Sequence, residues 1–185
     1  KAIAATQPDG NMSLDLKIEQ VKQYPTKDGE VTEILLKDKV YPFEIKQYYK
    51  AYQGTDIIST WIEIMNNGKK SVTLYRFVSA YLPVQRGDNW LTHFHGHWGA
   101  ENMLEEEKLT NGQKVISNKD GMVNTETDNP SFMLSIDGKP QEEYGHILGG
   151  TLAWTGNYLL KMDITNTKLN IIAGINEENS HYKLE

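Results

Sequence analysis

The chain contains no cysteine in its 185 residues, which rules out a disulfide framework and any metal site built on thiolates. The same absence leaves the compartment open between cytoplasm and periplasm. No apolar run approaches the roughly 20 residues that span a bilayer as a helix, and no charged-then-apolar leader stands at Lys1. A soluble protein without a membrane partner is expected. Basic residues number 19 against 25 acidic ones, for a formal net charge of −6, and they are scattered along the chain. Binding a phosphate backbone needs a concentrated basic face, so nucleic acid is not an expected partner. No G-x-S-x-G elbow frames a nucleophilic serine. Gly149-Gly150 lacks the rest of a phosphate-binding loop and reads as a bulge in a strand.

What is present points to an all-β fold. Hydrophobic residues make up 38% and charged residues 24%, enough apolar material for a core and too little charge for disorder. The length fits one large all-β domain over residues 1–185. Leu14, Leu16 and Ile18 alternate with Asp15, Lys17 and Glu19, and similar blocks start at Val31, Phe43, Ile57 and Val72. Such alternation marks strands with one face buried and one wet. Pro8-Asp9-Gly10, Lys27-Asp28-Gly29, Asn66-Asn67-Gly68, Asp120-Gly121 and Asp137-Gly138 punctuate them as turns. Runs from Ser131, His146, Tyr158 and Lys168 form a late meander. The stretch MLEEEKL from Met103 has helix-like composition but is too short to nucleate well, so a single helical turn or an acidic loop is expected there. The whole reads as a large antiparallel β-sandwich with little helix. Strand-like sequence directly after Lys1 suggests a domain excised from a longer chain.

The sharpest local feature is His93-Phe94-His95-Gly96-His97. Alternate strand residues share a face, so two such histidines can chelate one metal, with Glu101 as a third ligand in the spacing of the first cupin motif. The glycines and the second histidine segment of that pattern are missing, so no metal or cofactor is expected. In the simpler reading the imidazoles hydrogen-bond backbone groups, while Trp90, Phe94 and Trp98 cover the rim of the sandwich. Glycoside hydrolysis needs two carboxylates at a fixed separation. The adjacent acids Glu105-Glu106-Glu107, Glu142-Glu143 and Glu177-Glu178 read instead as solvated faces. No catalytic residue is assigned. Trp61, Trp90, Trp98 and Trp154 are each able to stack on a sugar ring or to pack in a core.

From Leu91 onward the order of residues resembles the N-terminal domain of the α-galactosidases of glycoside hydrolase family 36. The resemblance runs through Gly96, Trp98 and Glu101, then Ser117 and Gly121, Asn129-Pro130 with Phe132, Gly145, and Trp154-Thr155-Gly156-Asn157. Upstream, Ala2 to Gly10, Ser13 to Ile18, and the stretch from Ile57 to Leu82 resemble the family's early strands and its central pair. Val123-Asn124-Thr125 stands where the family often has Ser-Ser-His, so the resemblance does not extend to a sugar contact from that loop. It implies a supersandwich-like accessory domain of a retaining α-galactosidase, packed on a catalytic (β/α)₈ barrel of the same parent chain. A homo-oligomer is a further implied partner, and galactoside substrate is met through the parent enzyme. Trp90, His95, His97, Trp98 and Glu101 are the candidate carbohydrate or subunit contacts. The alternatives are a free-standing carbohydrate-binding module and a small metal-dependent β-barrel enzyme built on His93, His95 and His97.

Overall fold

The computed structural model describes residues 2–121, 128–178 and 180–185. Among them there is no helix, and every pair of strands described below is antiparallel. The strands are β1 (Ile3–Thr6), β2 (Leu16–Thr26), β3 (Gly29–Asp38), β4 (Phe43–Tyr52), β5 (Ile58–Asn66), β6 (Val72–Gln85), β7 (Trp90–His97), β8 (Ala100–Lys108), β9 (Gly112–Asn118), β10 (Asp128–Ser135), β11 (Ile147–Thr151), β12 (Tyr158–Ile164), β13 (Lys168–Ile175) and β14 (Tyr182–Leu184). They fall into two compact units, Lys1–Ala80 with Asn179–Glu185, and Tyr81–Glu178.

In the first unit, β2 to β5 form a four-stranded meander in the order β2-β3-β4-β5. A second layer is made by β6 with β1 and β14 paired to it. The alternation seen in the sequence decides which side chains meet between the layers. Ala5, Phe43, Ile45, Val72 and Leu74 are buried there, with Ile62, Ile64, Phe77 and Leu184 packed against them. The β3–β4 connection is held by Asp38, only 9% exposed. Its carboxylate accepts from the backbone N–H groups of Val40 (2.9 Å), Tyr41 (3.0 Å) and Asp15 (2.8 Å). Burial on its own would raise the Asp38 pKa, but these three donors hold it below the usual carboxylate range.

The second unit has one sheet ordered β11-β10-β7-β8 and another in which β12 lies between β9 and β13. In β12 the alternation is complete: Tyr158, Leu160, Met162 and Ile164 are buried, while Leu159, Lys161 and Asp163 are not. Burying each such apolar side chain contributes about 1.5–3 kcal/mol. Leu91 and Leu134 come from the other sheet and are fully buried. The Tyr158 hydroxyl ties the two layers by donating to the Asp128 carbonyl at 2.6 Å. Asn89, also fully buried, accepts from Gly87 N and Arg86 Nη1 and donates to Ile136 O. It thereby fixes the start of β7.

Two sequence expectations are corrected here. The acidic run from Met103 is neither a helical turn nor a loop but lies in β8, in register with β7 from Trp90↔Lys108 to His95↔Met103. Cross-strand partners supplied by β7 outweigh the local helix preference of Glu and Leu. Gly149-Gly150 is not a bulge, because β11 pairs β10 without a shift from Thr151↔Ser131 to Ile147↔Ser135. Gly150 instead makes room for an aromatic ring: a Cβ there would lie 2.5 Å from Phe132 Cε1.

Candidate functional site

The residues singled out by the sequence lie on the β7–β8 hairpin of the second unit. The strands meet in a two-residue turn, Trp98-Gly99, closed by the His97↔Ala100 pair, and Gly99 has a φ of +79°. Between that pair and His95↔Met103, β8 contains one residue more than β7. This is a β-bulge at Glu101-Asn102, with Asn102 in the left-handed region at φ 54°. Gly96 faces the bulge, and a Cβ on it would sit 3.0 Å from Ala100 O, Asn102 N and Glu101 Cα. The Gly between the histidines is thus required by the backbone opposite.

The three histidines occupy different surroundings. His93 is buried, 3% exposed, with Nε2 at 3.2 Å from Glu107 and 3.6 Å from Glu105. Glu107 is also paired with Lys114. Burial alone would push the Glu107 carboxyl up, but the Lys114 ammonium and the His93 imidazole hold it below its ordinary value. His95 points its Nδ1 at Asp128 Oδ1, 2.9 Å away. His97 directs its Nδ1 to the Trp98 carbonyl at 3.0 Å. Only His97 therefore bonds backbone, and the expectation that all three imidazoles do so is corrected. Carboxylates reach the other two because the strand register sets Glu105 directly opposite His93 and Asp128 opposite His95. Among the described residues no group of three or more His, Asp or Glu side chains is arranged to hold a metal ion.

Trp90 is half-buried, with the Lys139 ammonium 5.7 Å from its ring centroid. Trp98 does not cover the rim as expected: at 83% exposure it stands at the hairpin tip, with exposed His97 and Glu101 beside it in the chain. The hairpin thus gathers His97, Trp98 and Glu101 at its tip, whereas Trp90 lies at the far end of β7. Other residues of the resemblance carry the fold. Gly121 N donates to Asn157 Oδ1 at 2.7 Å, and the Trp154 indole N–H donates to Asn157 O at 3.2 Å. A Cβ on Gly156 would meet that indole nitrogen at 2.9 Å. Val123-Asn124-Thr125 lies outside the described residues.

The whole chain, residues 1–185, matches the glycosyl hydrolase family 36 N-terminal domain. The chain belongs to that family. It is 26% identical over 193 aligned positions to the alpha-galactosidase Mel36A of Lactobacillus acidophilus, covering 96% of this chain and 26% of that protein. To the alpha-galactosidase AgaA of Geobacillus stearothermophilus it is 25% identical over 137 positions, covering 74% of this chain and 18% of that one. The crystal structure of AgaA superposes on the whole chain with a TM-score of 0.91 at 22% identity, using 28% of the AgaA chain. The family 36 domain described here thus spans about a quarter or less of the length of these relatives, and the relatives are the larger proteins.

Two features of the family 36 domain had no clear sign in its sequence. One is the enclosure of His93 by Glu105 and Glu107, which only the β7–β8 register creates. The other is in the first unit, where Trp61 of β5 stacks on Tyr48 of β4 with ring centroids 4.8 Å apart. That unit also holds a cleft of about 260 Å³ bordered by Asp9, Tyr41, Lys69 and Lys70. There the Tyr41 hydroxyl donates to Asp9 at 2.8 Å.

Proposed function

We infer that this chain is the non-catalytic N-terminal domain of a retaining α-galactosidase, supporting a catalytic (β/α)₈ barrel in the remainder of a longer protein and taking part in its oligomer assembly. The observation that carries this reading is the family match over all 185 positions, combined with relatives named as alpha-galactosidases that are about four times as long or more. Retaining hydrolysis needs two carboxyl groups about 5 Å apart with opposed acidities, one raised to act as acid. Among the described residues every carboxyl displaced from its ordinary value is displaced downward. Glu107 is paired with Lys114 and lies 3.2 Å from the His93 imidazole.

The β7–β8 hairpin is the contact element of this reading. A tryptophan 83% exposed at a hairpin tip is costly to leave in water and suits burial against another surface. Trp98, His97 and Glu101 form the contact itself, and His95 and Trp90 brace the strand behind it. The test is release of nitrophenol from 4-nitrophenyl α-galactoside by this chain, by a parent chain extended past Glu185, and by that parent with Trp98→Ala. The expected result is no turnover by the chain alone, full turnover by the parent, and weakened assembly or activity in the variant. Activity in the chain alone that is lost when one of its own carboxylates is changed would overturn the reading.

A further inference from the structure

Tyr48 and Trp61 are direct cross-strand partners on β4 and β5, and their rings are parallel within 8° at a centroid separation of 4.8 Å. That separation equals the spacing between neighbouring strands. The two rings therefore stand upright on the sheet, face against face. They project from the side of the meander opposite Phe43 and Ile45, since residues of opposite parity on a strand point to opposite faces. Tyr48 has its second side toward β3 and is buried, 6% exposed. Strand β5 is the end strand of its sheet, so the second face of the Trp61 indole is the one turned away from β4, and the residue is 36% exposed.

Glu63 is two residues along β5, on the same face, and accepts a hydrogen bond from the Tyr48 hydroxyl through Oε2 at 3.0 Å. Glu63 is itself exposed, and a carboxylate has a second acceptor oxygen. Lys46, the cross-strand partner of Glu63, supplies an ammonium donor on the same face. An aromatic wall already immobilised by a buried neighbour, with a fixed carboxylate at its foot, meets both halves of a pyranose ring. The apolar C–H face stacks on the indole and the hydroxyl rim donates to the carboxylate. An anionic ligand is disfavoured by Glu63 and by Glu33, which stands opposite Tyr48 on β3. Among neutral sugars galactose fits best, because its axial 4-hydroxyl leaves C3–H, C4–H and C5–H together on one face.

We propose that the outer face of Trp61, with Glu63, is a secondary binding platform for galactose-terminated saccharides, distinct from the β7–β8 hairpin. The choice of galactose rests on the α-galactosidase reading above; the platform itself rests on the stack. The experiment follows the four indole N–H resonances of the ¹⁵N-labelled chain during titration with methyl α-galactoside and, separately, methyl α-glucoside. The Trp61 resonance, assigned with Trp61→Phe, is expected to move saturably with the galactoside and to move less with the glucoside. Glu63→Gln is expected to weaken binding at least about fivefold, since a charged hydrogen-bond acceptor is lost while the fold is kept. No movement of the Trp61 resonance at the solubility limit of the galactoside, or full binding by Glu63→Gln, overturns the platform. Equal response to both glycosides overturns the assignment to galactose and leaves the fate of the α-galactosidase reading to the nitrophenol assay.

Discussion

Single side chains decide local geometry here through hydrogen bonds and space, and two of them make sharp predictions. Asp38 accepts three backbone N–H bonds in a nearly closed site. Its folded pKa lies below the ordinary value of 3.8, so the unfolded chain takes up the proton first as pH falls. The stability it contributes is fully present above the unfolded value and is lost as pH drops through the folded one. Asp38→Asn presents an amide N–H₂ to at least one donor and is expected to cost about 1.5–3 kcal/mol near neutrality. In urea titrations the gap to the unsubstituted chain should shrink as pH falls below the ordinary carboxylate value of 3.8; a gap independent of pH would contradict the account. At Gly150 the constraint is volume. A methyl group placed 2.5 Å from the Phe132 ring forces that buried ring off its rotamer, and Gly150→Ala is expected to lower stability by about 1–3 kcal/mol. Phe132→Leu should relieve much of the Gly150→Ala penalty, and a double-mutant cycle measures it.

Among the elements, the β7–β8 hairpin is the one in which pattern and pairing disagree. Alternation in HFHGH was legible as a strand, and the one-face argument for its histidines followed from it. The bulge at Glu101-Asn102 was not legible, since it depends on how β8 registers against β7. The same blindness hid β8 itself. A run such as MLEEEKL carries a local preference for helix, and only a partner strand turns it into one side of a ladder. Gly96→Ala places a Cβ within 3.0 Å of three backbone atoms of the bulge. It is expected to shift the amide resonances of 100–103 and to destabilise the chain by about 1–3 kcal/mol. Trp98→Ala, at an exposed tip, is expected to change stability by less than about 0.5 kcal/mol in thermal melts. A large loss on Trp98→Ala would mean that the indole packs within the domain and would remove the case for a contact tip.

At the scale of the whole molecule, residues from both ends of the chain build the first unit: β1 and β14 pair the same stretch of β6, through Thr6↔Thr73 and Lys183↔Thr73. Removing residues 180–185 takes Leu184 from the edge of the core and a carbonyl from Asn66 Nδ2. It is expected to cost about 1–3 kcal/mol, read as faster hydrogen exchange in β6 and β1. Unaltered exchange in both strands would contradict the account. The sequence by itself determined the all-β class, most strand positions and the turns, because period-two alternation and turn residues are local properties that survive without knowledge of partners, and the order of its motifs carried the resemblance to the family. Tertiary structure alone decided that β8 is a strand, that Gly150 answers to Phe132, that Glu105 and Asp128 meet histidines, and that Trp61 stands against Tyr48. Each of these depends on register between strands distant in the chain, and a one-residue shift would send every side chain to the other face.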